Sequence, residues 1–576
     1  MESDIKKEKI VIYQIFTRLF GVNSELTLLN GTKLQNGCGT FEDLSDKALQ
    51  SIVDLGVTHI WLTGIIQHAT QTAYPTLDLK SGHPAIVKGK AGSPYAITDF
   101  FELDPDLATK PENRWIEFEN CLQRIHNQGL KLIVDFVPNH TARIYKSEYA
   151  RKIGLRDLGQ NDFSHEYFHP NNHYYYIPEQ ALQIPDNQLD ESGHLYEEFP
   201  AKATGNDCFT ASPGVYDWYE TVKLNYGFNY RNHQSYFDPI PATWKYMLEV
   251  LKFWSEKKVD GFRCDMVEMV PVEFWEWAIP QVKADFKQLI FIAEVYNPEK
   301  YNSYLFRGKF DFLYDKVGLY DVLRAIVEEK GNTNQITNVW QNQEGFGERM
   351  LRFMENHDEQ RIASDFVGKE PEKAIPAMAI SAFLGKGPVM VYFGQELGEK
   401  AEGAAGFSGD DGKTTIFDYW KVPSIQTWQN GNNWDDNLLT DQQSGTRKAY
   451  KKILEFSQNR VITQGSFFDL QYANQANDAY NSLQLYSFLR YTKEDKYLFV
   501  NAFDDENATV RIIIPYEAWH SMGISVDGNC KLIDPYGLQK PVDFFVKISF
   551  WSEGNSAGIL IPNQKYNFQI WKIEVQ

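Results

Sequence analysis

Eight short apolar segments, most of them followed by an amphipathic stretch, set the strongest limit on how this chain can fold. They are Ile10–Phe16, His59–Ile65, Leu130–Val137, Val259–Val267, Leu289–Val295, Phe310–Tyr314, Met350–Met354 and Pro388–Phe393. Branched and aromatic side chains dominate them, as a buried pleated surface requires. Between most of them lie segments of helical period: Phe41–Leu55, Glu112–Gln128, Thr243–Lys257, Val272–Phe286, Val317–Lys330 and Lys373–Leu384. Thr446–Gln458 follows the eighth. Gly56 and Gly129 stand just past two of these patterns, where helices stop. Strands alternating with helices build a parallel α/β sheet. Such a sheet either stays open and doubly wound or closes, and eight units favour closure into a (β/α)8 TIM barrel.

The spacing is irregular in one place. More than a hundred residues separate the third strand from the fourth, and a helix fills only the last part. Residues 141–225 therefore read as an insertion after strand three. It is polar and rich in aromatics (HEYFHPNNHYYYIPEQ from His165, YDWYETVKLNYG from Tyr216). A connection this long is a functional subdomain or is disordered, and its aromatic content argues for order. Past Gly465 the pattern changes to short alternating segments divided by turn residues: Ser482–Tyr491, Lys496–Phe503, Ala508–Ile514, Cys530–Ile533, Phe544–Phe550, Gly558–Ile561 and Tyr566–Glu574. These predict an all-β sandwich. The expected division is a barrel from 1–140 and 226–465, an insertion at 141–225, and a C-terminal β-sandwich at 466–576.

A chain of 576 residues exceeds what one core supports, so several domains are expected. Net charge is −20 with a pI of about 5.1, a field that repels phosphate backbones and argues against nucleic acid as a partner. A neutral ligand fits better. Aromatics make up 15% of the chain, serving either core filling or stacking on the flat faces of sugars. Cys38, Cys121, Cys208, Cys264 and Cys530 are scattered, which fits neither a zinc site nor a disulfide scaffold. No apolar run reaches the roughly 18 residues of a membrane helix. Met1–Lys9 is polar, without the apolar centre of a leader. The expected location is the cytoplasm, although a leader already removed would leave the same pattern. The number of copies in an assembly stays open.

Active sites of parallel barrels lie at the C-terminal ends of the strands. Strand three ends Asp135-Phe136-Val137-Pro138-Asn139-His140, strand four Gly261-Phe262-Arg263-Cys264-Asp265, strand five Ile292-Ala293-Glu294-Val295, and strand seven Glu355-Asn356-His357-Asp358. Side chains alternate along a strand, so Arg263 and Asp265 share the side facing the barrel axis. A neighbouring guanidinium is expected to keep Asp265 ionised, as a nucleophile requires. Glu294 has Phe291, Ile292, Ala293 and Val295 beside it, and an apolar setting would keep its proton on, as an acid catalyst requires. Two carboxyls with opposite protonation are the equipment of glycoside cleavage. Salt-bridged strand ends are the alternative, and they do not readily explain so many ionisable groups at one end.

The same segments resemble the conserved regions of the α-amylase family, glycoside hydrolase family 13. DFVPNH (135–140), GFRCD (261–265), IAEV (292–295) and ENHD (355–358) are similar to its four regions, in its order. VKLN (222–225), SPYAITDF (93–100) and GPVMVYFGQE (387–396) are similar to further family motifs. The resemblance covers about residues 8–465. It implies a retaining hydrolase of α-glucosidic bonds. Asp265 would be the nucleophile, Glu294 the acid/base, and Asp358 the group binding the sugar and stabilising the transition state. Arg263 would support Asp265, His140 and His357 would hydrogen-bond the sugar, and Tyr95 would stack on it. An α-glucan oligosaccharide would be the substrate, with no organic cofactor. A transglycosylase or sugar isomerase would use the same machinery. A non-catalytic carbohydrate-binding relative would lack some of these carboxylates.

Three departures qualify the resemblance. Glu268-Met269 follows region two where starch-cleaving members often carry Lys-His, and Leu62-Thr63-Gly64 lacks a usual Pro. VKLN is nearer to neopullulanase and cyclomaltodextrinase-type members, which favours maltooligosaccharides. The resemblance also makes Asn139 a ligand of a structural Ca2+, for which oxygen donors are suited. Against this, Met269 replaces the family's His and the loop Gly21–Leu28 lacks an Asp/Asn cluster. In the loop Gly403–Trp420, Asp410 and Asp411 either rim the cleft or form a solvated turn. Phe407, Phe417 and Trp420 either stack on sugar or anchor the loop.

Overall fold

The computed structural model describes residues 8–504, 506–524, 528–546 and 558–576. Eight parallel strands close into a barrel: β1 (Val11–Phe16), β2 (His59–Thr63), β3 (Lys131–Phe136), β4 (Gly261–Cys264), β5 (Ile290–Ala293), β6 (Phe312–Tyr314), β7 (Met350–Phe353) and β8 (Val389–Tyr392). Each pairs with its sequence neighbours, and β1 closes the ring against β8 through Val11↔Val389. Ile12, Trp61, Ile133, Ile292, Tyr314, Leu351, Phe353 and Met390 fill the interior. The alternate residues, such as Tyr13, Ile15, Leu62 and Val134, join the outer core under the helices. This two-sided burial explains why the strands read as continuous apolar runs rather than alternating ones.

Helices interleaved with these strands include α1 (Asp46–Val53), α2 (Arg114–Asn127), α3 (Ala242–Glu256), α4 (Val272–Asp285), α5 (Asp321–Val327), α6 (Asn334–Asn342), α7 (Ala374–Phe383) and α8 (Asp441–Ser457). Two differ from the periodicity for local reasons. Helix α8 begins five residues early because Thr440 and Gln443 form a capping box that the polar first turn concealed. The segment predicted as one helix over 317–330 opens with a π turn at Lys316–Tyr320, capped by the Asp315 side chain on Leu319 N. All ten residues of α7 are buried, because its outer side packs on the C-terminal unit, as in Phe383 against Phe499 at 5.2 Å.

Two excursions rise from the strand ends. One follows β2 and holds the antiparallel pair Ile66–His68 with Ile97–Leu103. The other follows β3. Its neck is a short antiparallel ladder, with His140 opposite Lys223 and Ala142 opposite Thr221. Ala85 and Ile86 of the first share a small core with Ile177, Leu182 and Ala201 of the second.

The C-terminal strands are β9 (Ser466–Asp469), β10 (Leu485–Tyr491), β11 (Lys496–Ala502), β12 (Thr509–Ile512), β13 (Gly528–Ile533), β14 (Val542–Val546), β15 (Ile559–Pro562) and β16 (Asn567–Val575). They form one antiparallel sheet, β9-β10-β11-β16-β13-β14, and a pair, β12-β15. Leu498, Val500 and Trp571 of the sheet share a core with Val510, Ile512 and Ile561 of the pair, which makes the unit a sandwich. The strand expected at Phe544–Phe550 begins at Val542, and its last four residues lie outside the described residues, as do residues 1–7 of the N-terminal segment. Among the described residues, no helix is long and apolar enough to cross a membrane.

Candidate active site

The barrel register sets Arg263 of β4 level with Asp135 of β3 and Ile292 of β5. Ile292 fills the barrel interior, so Arg263 points there too, and Asp265 follows two residues on. Gly261 precedes them on the same side, where a Cβ would lie 2.5 Å from Ile290. Arg263 is fully buried. Its Nη1 donates to Asp265 Oδ1 at 2.7 Å, and its Nη2 pairs with Glu294 Oε1 at 2.8 Å. Asp135 Oδ1 and Asp358 Oδ2 lie 3.6 and 4.0 Å from the same group. Nε donates to Tyr314 Oη at 3.0 Å. One cation therefore stands among four carboxylates.

Further donors fix Asp135 and Glu294. Asp135 accepts from Trp61 Nε1 at 3.1 Å. Glu294 accepts from Tyr296 Oη at 2.7 Å and from the backbone N–H of Met266 at 2.8 Å. Met266, directly after Asp265, sits at φ +43, a costly conformation for a residue with a side chain; that turn aims its N–H at Glu294. Asp358 N donates to Asn356 Oδ1 at 2.9 Å, which fixes the turn carrying the carboxylate. Glu355 turns away to Arg361 at 2.9 Å and serves as an anchor.

The remaining expected residues line the same hollow. Tyr95 stacks on His357 with ring centres 5.3 Å apart, and its hydroxyl lies 2.6 Å from His357 Nε2. Gln14 Nε2 meets His357 Nδ1 at 2.8 Å, and Asp358 Oδ2 lies 3.1 Å from Nε2. Burial, then Arg263, holds the His357 imidazole well below its usual range, so it is neutral. Burial, then Lys223, pushes His140 down to about 3, and its ring bonds the Tyr95 backbone. Asp265, Glu294, Asp358, Arg263, Tyr95, His140 and His357 thus form one cluster. A surface hollow of about 460 Å³ beside Tyr149, Lys245 and Phe253 contains none of them.

Three expectations are corrected here. Asp265 is not held low by Arg263: burial pushes its carboxyl well above the usual carboxylate range, and Arg263 opposes that only in part. Asp135 is likewise raised, to about 7, by burial. Glu294 is not in an apolar setting: its carboxylate accepts two hydrogen bonds, from Met266 N–H and Tyr296 Oη, and pairs with the Arg263 guanidinium. The residues around Asn139 do not fit calcium. Asn139 Oδ1 already accepts from Lys223 Nζ at 2.5 Å, and its Nδ2 donates to Gly205 O at 2.8 Å. Among the described residues, no group of three or more His, Cys, Asp or Glu is arranged to hold a metal ion.

Trp61, Tyr314, Gln14, Tyr296 and Trp218 were not foreseen. Gln14 and Trp61 had a signal, since both sit in a strand in phase with inward residues. Trp218 of the insertion lies half-buried with its ring 5.5 Å from that of His140, a contact no spacing reveals. In the loop after β8, Phe407 and Phe417 pack on each other at 5.0 Å, and Trp420 packs on the main core, so they anchor. Asp411 accepts from Lys413 N, and Lys413 supplies positive potential to His357 and Asp358. Gly64 takes φ +81, which no Pro can adopt. Glu268 accepts from Tyr296 N at 3.2 Å.

The family model for "Alpha amylase, catalytic domain" matches residues 14–447. The chain belongs to the α-amylase family. Among curated relatives, an α-amylase (MalA) of Haloarcula japonica is 26% identical over 399 residues, covering 68% of this chain and 45% of that protein. An amino acid transporter heavy chain of Rattus norvegicus is 26% identical over 261 residues, 45% of this chain and 29% of that one. The chain thus spans less than half the length of these two relatives. A crystal structure titled as a noncanonic maltogenic α-amylase of Thermotoga neapolitana superposes with TM-score 0.60 at 20% identity, covering 99% of this chain and 100% of that one. At that identity the match speaks for the fold alone. Since the family's relatives include one named for transport, the chemistry of this member rests on its site.

Proposed function

We propose that this α-amylase family member is a retaining glycoside hydrolase cleaving α-glucosidic bonds in maltooligosaccharides through a covalent glycosyl-enzyme. The single observation that carries this is one buried guanidinium holding Asp265 on one terminal nitrogen and Glu294 on the other. Two carboxyls gathered on one such fork are held close together, which supports the close arrangement of about 5–5.5 Å that goes with retention over the about 6.5–9.5 Å of inversion.

Asp265, as nucleophile, attacks the anomeric carbon while the glycosidic C–O bond breaks and its electrons leave on oxygen. Glu294 gives that oxygen its proton. Glu294, now ionised, takes a proton from water, whose oxygen attacks the anomeric carbon and releases Asp265. Four carboxyls around one cation cannot all ionise cheaply, and burial pushes Asp265, Asp135 and Asp358 all above the usual carboxylate range, which supports proton sharing within the cluster. Asp358 faces the positive charge that develops on the sugar ring. Neutral His357 and His140 offer hydrogen bonds without repelling that charge, and Tyr95 supplies a flat face. The three-part division at 1–140 with 226–465, 141–225 and 466–576, and a cytoplasmic location, belong to the same proposal; the neck ladder supports the first.

The preference for short substrates rests on the VKLN motif and on Glu268 engaged with the Tyr296 backbone at the aglycone side. A time course on maltotriose, cyclodextrin and soluble starch, followed by NMR and chromatography, tests it. The α-anomer is expected first, with maltotriose turned over better than starch. A β-anomer first would refute retention, and a strong starch preference would refute the substrate class. Elongated oligomers would indicate a transglycosylase, isomerised sugar an isomerase, and no product a carbohydrate-binding protein.

A further inference from the structure

The insertion rejoins the barrel along Thr221–Lys223, and the last side chain of that strand turns into the junction, where Lys223 is 1% exposed. Its ammonium meets Asn139 Oδ1 at 2.5 Å, Asp207 Oδ1 at 2.7 Å and Met269 O at 3.1 Å. Of these three oxygens, those of Asn139 and Met269 accept hydrogen bonds from the ammonium, and that of Asp207 lies in ion-pair contact with it. Those oxygens come from three separate stretches: the end of β3, the body of the insertion, and the loop after β4. The Tyr230 ring, 5.7 Å from Nζ, adds its electron-rich face.

This is where the family resemblance places calcium, on Asn139 and the carbonyl of residue 269. Ca2+ takes six to eight oxygens at about 2.3–2.6 Å. An ion drawing on both Asn139 and Asp207 would compete with Nζ for the same two oxygens and stand close to its positive charge. The negative charge is also short, since Asp207 is the one carboxylate in contact with the ammonium among the described residues.

We propose that Lys223 is the resident cation of this junction, fastening the insertion to the barrel in place of a divalent metal, so that the folded protein neither holds nor needs calcium there. The side chain ties Asn139, next to His140, to Met269, four residues past Asp265. It therefore fixes two walls of the cleft at once.

Calorimetric melting and metal content, both read without substrate, test this independently of the reaction. Wild-type protein in millimolar EDTA and in millimolar CaCl2 is expected to melt within about 1 °C, because a ligand that does not bind the folded state cannot stabilise it. Mass spectrometry after dialysis is expected to find no stoichiometric calcium. K223M keeps the stem, removes the charge and strands the three oxygens; its Tm is expected to fall by about 5 °C or more. D207N, which removes only the counter-charge, is expected to fall by a smaller amount. A chelator-induced drop of several degrees, or one calcium retained per chain, would overturn the proposal. So would a K223M protein that melts with the wild type. Should K223M fail to fold, the wild-type metal measurements and D207N still decide.

Discussion

Replacing Arg263 by Met tests the electrostatic core of the site most directly. The guanidinium is the only cation in contact with Asp265 and Glu294 among the described residues, at 2.7 and 2.8 Å. At an effective dielectric near 20, a pair about 4 Å between charge centres is worth about 4 kcal/mol. That is about a thousandfold in the proton affinity of the carboxylate. Burial already pushes the Asp265 carboxyl up against this attraction. Without the cation nothing offsets that push, so the ionised form of Asp265 that attacks becomes correspondingly scarcer. R263M is expected to lose about 10³-fold or more in kcat/KM at pH 7, and its acid limb should move to higher pH. Because the freed carboxyls can neutralise by taking up protons, the fold survives, which near-UV circular dichroism checks. R263K keeps the charge but not the fork, and should fall between. The assay is kcat/KM on maltotriose from pH 5 to 9. An R263M enzyme within tenfold of wild type at pH 7, or with an unmoved acid limb, would refute the reasoning.

Asp265→Asn and Glu294→Gln should each lower kcat by about 10³-fold or more with melting curves near wild type; half-activity in either excludes it from the reaction. Tyr296→Phe removes the 2.7 Å donor to Glu294 and should lower kcat/KM about tenfold, the worth of one hydrogen bond to a charged group; unchanged kinetics would make Tyr296 a bystander. Burial raises Asp99, Asp135 and Glu355 to about 7 and Asp43 to about 6. The folded chain then binds more protons than the unfolded one between about pH 4 and 7, so stability from these groups is lost as pH rises through that window. Melting temperature should peak on the acid side of neutrality, and a steady rise from pH 5 to 7.5 would contradict this. Trp218→Ala should raise KM for maltotriose severalfold with kcat nearly unchanged, if the ring beside His140 is a sugar-facing wall.

Much of the fold was legible because barrel strands are buried on both sides and so announce themselves as apolar runs. The C-terminal sandwich was legible from the change of period. The short strands β9 and the start of β14 were not, since half-buried segments such as Ser466–Asp469 carry little apolar signal. The helix start at Asp441 was hidden by a polar first turn whose capping box needs Thr440 and Gln443 together.

At the site, period two put Arg263 and Asp265 on one side, and strand ends collected the carboxylates, because both rules depend only on spacing along the chain. Protonation did not follow from spacing. The Asp265 carboxyl responds to how deeply it is buried, and the donors that hold Glu294, Met266 N–H and Tyr296 Oη, come from neighbouring turns. The same holds for Asn139, which reads as a metal ligand by its place in DFVPNH until Lys223, 84 residues later, fills the space with its own charge. Sequence determined which groups stand at the mouth of the barrel. Tertiary structure decided their charge and their partners, because electrostatic energy depends on distances and burial between segments that the linear order leaves unstated.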